Sequence, residues 1–358
     1  MKSKMIFVFG LAVFALLSVS SAWGAQTAAT AITIDNAATV KQLALLEGHT
    51  GPVFTLAFSL DGKTLASGGS GDDYTVRLWD VASATQKAVL EGHTAQIAAL
   101  AFNADGTQLE TASYDGTIRL WDAATGAAVE TIDKAANDDA IGVDSLATYF
   151  SADGSQLAYL SGGVYVFDMA TRQLTDLITV DSSLYTLLTL PGTGHLSPDG
   201  KWFTVEQVDG GPIHLIDLST GTEIKSLNRN DADSYYFTAQ TISGDGKWLA
   251  AVDDTSAIIE VWNVETGEPL PNITGLKPAD GSTTPGVYGL AFNADGSLLA
   301  SASYDATIRI WNPADGTQLV SLPTSDPNGS GVVVWSADGT LLASANLDGT
   351  IQLWGLGS

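Results

Sequence analysis

Four histidines are the natural place to look for chemistry in this chain, and His93 is the best placed of them. With Asp115 downstream and a serine at Ser113, His93 has the residue types of a nucleophilic triad, in which a base takes the hydroxyl proton and a carboxylate orients the base. His49 and Asp73 offer the same pair earlier in the chain. The spacing argues for a different use. In both segments a Gly precedes the His, and the Asp stands six residues before a Trp, at Asp115 and Trp121 and again at Asp73 and Trp79. The same Asp-to-Trp interval recurs at Asp305 and Trp311 and at Asp348 and Trp354, there without a histidine. A buried indole N–H must find an acceptor, and a neutral imidazole can serve a hydroxyl on one side while giving its proton to a carboxylate on the other. Such a group is structural, and no catalytic constellation is expected. Thr111 and Ser113 lie on one face of a single strand, so either could supply the hydroxyl.

The remaining candidates are weaker. His195 and His214, in a chain with no cysteine, make a poor zinc set, and no metal or cofactor is expected. Seven Asp-Gly pairs, at Asp61, Asp105, Asp153, Asp199, Asp245, Asp295 and Asp338, carry carboxylates too dispersed for paired acid-base work. Their chemistry is that of tight turns.

Those pairs reveal the elements that position everything else. They recur every 43 to 50 residues, each after an apolar strand and before a β-rich run. The third strands end at Trp79, Trp121, Phe167, Ile216, Trp262, Trp311 and Trp354, and short turns such as Ala124-Thr125-Gly126 and Glu265-Thr266-Gly267 lead into fourth strands. With 37 Gly and no sustained helical period, the chain reads as all-β. Runs such as Val53 to Phe58 are nearly continuous in apolar and small residues instead of alternating, as expected of strands covered on both faces.

The most complete unit, EGHTAQIAALAFNADGTQLETASYDGTIRLWD from Glu91 to Asp122, resembles the repeats of the WD-repeat β-propeller family. The resemblance implies a seven-bladed β-propeller of four-stranded antiparallel blades over residues 41–358. It also implies a buried network of His49, Asp73 and Trp79, of His93, Thr111 or Ser113, Asp115 and Trp121, and of the Asp305–Trp311 and Asp348–Trp354 pairs. The central repeats depart from it. Phe167 and Ile216 replace Trp, and LSPDGKWF from Leu196 to Phe203 looks closer to the related Asp-Gly propeller repeats of periplasmic proteins. After Trp354 only four residues remain, so the last blade needs its outer strand from elsewhere. Lys41 to Leu46, which precedes Glu47-Gly48-His49, is expected to close the ring there.

The first residues read as an address. Lys2 and Lys4 precede an apolar run from Met5 to Val19, and Ala22-Trp23-Gly24 suits cleavage before Ala25, so residues 1–24 are expected to be a signal peptide and 25–40 a flexible lead-in. The protein is therefore expected in the periplasm or outside the cell, with no membrane insertion after cleavage. Forty Asp+Glu against 15 Lys+Arg disfavour nucleic acid. The links between blades and the second-to-third-strand turns form one face of such a ring. Tyr114 and Tyr304, which precede their turn aspartates, and Tyr235, Tyr236, Asp138, Asp139, Asp231 and Asp233 are its candidate partner-binding residues. They fit a protein or peptide of cationic character, held by a monomeric scaffold. The competing expectations are a lactonase-like or other hydrolase at the channel mouth, and a purely architectural envelope or matrix component.

Overall fold

The computed structural model describes residues 30–133, 148–160, 164–178, 194–197, 199–206, 211–228, 237–253, 258–276 and 286–357. Seven antiparallel sheets stand in a ring, each a meander that starts at the centre and runs outward. The first blade is Val53–Phe58, Thr64–Gly69, Val76–Asp80 and Thr85–Leu90, and the second Ile97–Phe102, Gln108–Ser113, Thr117–Asp122 and Ala128–Asp133. Each inner strand approaches those of its two neighbours, and that of the seventh blade, Ser330–Trp335, returns to Val53–Phe58. Among the described residues the one helical segment is the 3₁₀ turn Ala37–Thr39.

All seven Asp-Gly hairpins obey one geometry, which is why they set the period. The glycines at 62, 106, 154, 200, 246, 296 and 339 have φ between 68° and 71°, a region closed to most side chains. Each aspartate accepts the backbone N–H two residues on, as Asp105 Oδ1 does from Thr107 at 2.9 Å and Asp338 Oδ1 from Thr340 at 3.0 Å.

The hydrophobic cores lie between blades. Ala66, Val76, Leu78 and Leu90 of the first blade pack against Ile97, Leu100, Phe102 and Trp121 of the second. The closing joint is of the same kind: Leu46, Val53, Leu65 and Trp79 pack against Ala343, Ile351 and Leu353. There the N-terminal strand Val40–Leu46 pairs antiparallel with Ile351–Leu356, from Val40 opposite Leu356 to Leu46 opposite Ile351, and supplies the outer strand the last blade lacks. An edge that would otherwise invite a foreign strand is thereby covered. Packing also reaches further upstream than Lys41: Ile32 is buried with Val40 against Leu298 and Ala300, and its N–H bonds Gly339 O at 2.9 Å.

Two features differ from the sequence reading. The fifth sheet, Phe237–Ile242, Trp248–Asp253 and Ile258–Asn263, has no regular fourth strand. Among the described residues after Gly267 the chain meets it through isolated bridges at Pro269 and Ile273 and a few backbone hydrogen bonds such as Leu270 N–H to Val261 O, because Pro269 and Pro271 have no N–H to offer a ladder. Five inner strands, moreover, slip register near their start, at Val53/Thr55, Ile97/Ala99, Phe237/Ala239, Val287/Gly289 and Ser330/Val332. The residue skipped in each is a bulge, which re-aims its side chain.

Candidate functional site

The histidines of the two Glu-Gly-His segments, His49 and His93, resolve first. In the second blade Trp121 Nε1 donates to Thr111 Oγ1 at 2.9 Å, and Thr111 Oγ1 meets His93 Nε2 at 2.8 Å. The Asp115 carboxylate only accepts, so His93 carries its proton on Nδ1 and donates to Asp115 Oδ2 at 2.8 Å, which leaves Nε2 of the neutral ring to accept the Thr111 hydroxyl proton. Asp115 also accepts the N–H groups of Thr94 and Thr117 and the Thr117 hydroxyl. Burial would raise its pKa, but these donors outweigh burial and hold it at about 2. The first blade repeats the chain with Ser67: Trp79 Nε1 to Ser67 Oγ at 2.8 Å, Ser67 Oγ to His49 Nε2 at 2.8 Å, and His49 Nδ1 to Asp73 Oδ2 at 2.9 Å. Burial pushes the His49 imidazole below its ordinary value despite the opposing pull of Asp73.

Ser113 is not the hydroxyl of this network. It donates to Ala95 O at 3.0 Å and accepts the Asp115 N–H. The reason is register: Leu109 stands opposite Trp121, so on the same strand face Thr111 lies two residues along from that pair and Ser113 four. The interval of ten residues from hydroxyl to Trp, shared by Thr111, Ser301 and Ser344, is the signal that would have separated them. In the sixth and seventh blades Ser301 and Ser344 each take the indole proton of Trp311 and Trp354 at 2.9 Å. Arg309, at 2.7 Å from Asp305, and Asp326, which accepts the Asp348 N–H at 2.9 Å, stand where histidine is missing. Trp262 instead donates to Asn228 O at 3.0 Å.

Of the other two histidines, His214 Nδ1 lies 3.1 Å from Glu223 Oε1. His195, whose imidazole burial pushes down to about 4, borders a cavity of about 510 Å³ in the channel mouth on the Asp-Gly hairpin side, among Phe58, Phe102, Phe292 and Trp335. No group of three or more His, Asp or Glu able to hold a metal occurs among the described residues. No helix among them is long and apolar enough to cross a membrane.

The opposite face, built from links and second-to-third-strand turns, holds the exposed aromatics. Among the described residues the exposed aromatics are Tyr288 (45%), Phe54 (38%) and Tyr304 (36%). Phe54 and Tyr288 are the bulge residues of the first and sixth inner strands, so the bulge turns them out at this mouth. Tyr304 stacks on Tyr288 with ring centroids 4.3 Å apart and planes 27° apart. Tyr304 is held by its own N–H on Gly286 O at 2.8 Å. Gly329, at φ 82°, lets the following link cross this turn, since a Cβ there would overlap Ser303 O and Tyr304 Cα. Tyr114, its counterpart in the second blade, is only half exposed, and burial pushes its phenol pKa up. Tyr235, Tyr236, Asp138, Asp139, Asp231 and Asp233 lie outside the described residues. Phe54 and Tyr288 were not candidates from the sequence, because a bulge leaves no mark in an unbroken apolar run.

Comparison with known proteins agrees with the geometry. The family model described as WD domain, G-beta repeat matches residues 40–80, 84–122, 276–312 and 327–355. The chain carries WD repeats at these four places and folds as a seven-bladed β-propeller. The matched repeats are those of blades one, two, six and seven, where the indole of each Trp donates to a Ser or Thr hydroxyl. The chain is similar to an uncharacterized WD repeat-containing protein of Synechocystis sp., with 34% identity over 36% of this chain and 33% of that protein. It is also similar to periodic tryptophan protein 2 of Arabidopsis thaliana, with 32% identity over 52% of this chain and 21% of the relative. Striatin-3 of Rattus norvegicus is 26% identical over 76% of this chain and 34% of its own length. The chain thus spans about a third or less of these relatives. The WD-repeat propeller fold suggests a protein-interaction scaffold.

Proposed function

We propose that this WD-repeat propeller is a non-catalytic, monomeric scaffold that works after export and holds a protein or peptide partner on its link face. The observation that carries the proposal is the gathering of Tyr288, Tyr304 and Phe54 on that face, while the other large aromatics among the described residues are buried or half covered. Rigid aromatic rings give contact area at little entropic cost, and rings of this kind dominate binding energies at interfaces. A non-catalytic reading is favoured because both ring nitrogens of His49 and of His93 are already engaged, each between a hydroxyl and a carboxylate. The closed edge at Val40–Leu46 favours a monomer. Export is favoured by Lys2, Lys4 and the apolar run that follows them. Replacing Tyr114 and Tyr304 together by Ala is expected to weaken partner capture from the exported fraction while the unfolding temperature stays within a few degrees. Capture at the parental level by a folded double variant would remove this face from the account, and turnover of a hydrolase substrate by the purified protein would replace the scaffold with an enzyme.

A further inference from the structure

Phe54, Tyr288 and Tyr304 belong to the first and sixth blades, and the seventh stands between them. The bulge residue of the seventh inner strand, equivalent to Phe54 and Tyr288, is Gly331. A Cβ at Gly331 would stand 3.5 Å from Tyr304 Cε1 and Oη and 3.6 Å from Phe54 Cδ1. Both rings therefore border the backbone at the one bulge position of this sector that has no side chain, and the missing side chain leaves a slot between aromatic neighbours. Gly331 does not have a positive φ, so no backbone strain demands glycine there.

The link and turn segments beside the slot carry negative charge only. The link and turn segments of this sector, residues 47–52, 70–75, 304–306, 324–329 and 347–350, contain Glu47, Asp72, Asp73, Asp305, Asp326 and Asp348 and no lysine or arginine. Glu47, Asp72 and Asp348 are exposed. Two arginines approach from neighbouring strands: Arg309 is 11% exposed and engaged with Asp305 at 2.7 Å, and Arg77, beside Gly48 and close enough to act on His49, donates to Gln86. The His49 imidazole of this sector is enclosed between Ser67 and Asp73. A flat aromatic slot under a negative field is complementary to a cation, and best to a guanidinium, which stacks on rings and is more weakly hydrated than an ammonium.

We infer that the slot formed by Phe54, Gly331, Tyr288 and Tyr304 receives an arginine side chain from an extended, basic segment of the partner. This rests on the link face being the partner surface and goes further by naming the spot and the chemistry. The remaining acidic loops then steer the basic segment towards it.

The test uses the full propeller and a fluorescein-labelled peptide of alternating Gly and Arg, with Gly-Lys and Gly-Glu peptides of equal length, read by anisotropy at fixed salt. Binding in the order Arg, then Lys, with none for Glu, is expected. Phe54→Leu combined with Tyr288→Leu keeps apolar area but removes two rings and is expected to weaken the Arg peptide about tenfold. Gly331→Ala places a Cβ in the slot at ordinary contact distance and is expected to weaken ring-dependent binding while thermal unfolding is unchanged. Leu60→Ser, at the opposite mouth, is expected to change nothing. Equal binding of the Arg peptide by the parent and by both slot variants, or no binding by the parent, overturns the proposal. In parallel, a photo-crosslinker at position 304 reads the face independently of cation chemistry. Crosslinking with no Arg-peptide binding refutes the slot alone, whereas absence of both refutes the link face as well.

Discussion

Replacing Thr111 by Val should separate a structural histidine network from a decorative one. Valine keeps the shape of threonine, so little packing is lost. What disappears is one oxygen that accepts the Trp121 indole proton at 2.9 Å and donates to His93 Nε2 at 2.8 Å. Both partners are buried, and each is left without its bond. A buried polar group deprived of its partner costs about 1–3 kcal/mol. The two share a network and do not add fully, so about 2–5 kcal/mol is expected for the substitution. Thr111→Ser should restore nearly all of it, since Ser67, Ser301 and Ser344 do the same work in other blades. Ser113→Ala should cost only about 1 kcal/mol, because its bonds go to Ala95 O and the Asp115 N–H at the turn. Equilibrium urea unfolding, followed by tryptophan fluorescence and circular dichroism, gives the three values. A Thr111→Val variant within about 0.5 kcal/mol of the parent, or a Ser113→Ala variant costlier than it, would refute the assignment of the hydroxyl.

Three further outcomes follow from the same structure. Removing residues through Leu46 uncovers the Ile351–Leu356 edge and the buried Ile351 and Leu353, so size-exclusion chromatography with light scattering should show self-association; a monodisperse monomer with unchanged melting would contradict closure. Glu110 is buried beside the Gly154 hairpin with its Oε2 unpartnered, and burial, opposed by Arg172, pushes its pKa from 4.5 up to about 8. Its folded pKa thus lies above its unfolded one, so stability should fall as pH rises from about 4.5 to about 8 and then level off; Glu110→Gln should flatten that slope, and identical pH profiles would refute the burial argument. Gly106→Ala meets no atom within 4 Å but must hold φ at 70°, so thermal unfolding should report a loss of about 1 kcal/mol from backbone strain alone, and a neutral result would argue against that turn.

How much of this was legible in the sequence depends on whether a residue's role is local. The seven hairpins could be read because Asp-Gly fixes its own turn, and the closing strand because Trp354 left a blade one strand short. Long-range choices were less visible. The hydroxyl at Thr111 follows from cross-strand register with Trp121, and Asp326 stands in for a histidine across a link. Pro269 and Pro271 were in plain sight, yet the preceding Glu265-Thr266-Gly267 turn promised a fourth strand that prolines cannot ladder. Ile32 was read as part of a lead-in, although it packs under the sixth and seventh blades. The aromatic cluster was half legible: Tyr304 stood out beside its turn aspartate, whereas Phe54 and Tyr288 are turned outward by bulges that interrupt no pattern.

The central claim is that partners are held on the link face around Tyr304. It is tested most directly by placing a photo-activatable phenylalanine analogue at position 288 in one variant and at position 60 in another, and irradiating both in the compartment where the protein works. The account predicts a discrete covalent adduct to a partner segment containing arginine from position 288 and none from position 60. Adducts from position 60 alone, beside the cavity of the hairpin-side mouth, would contradict it.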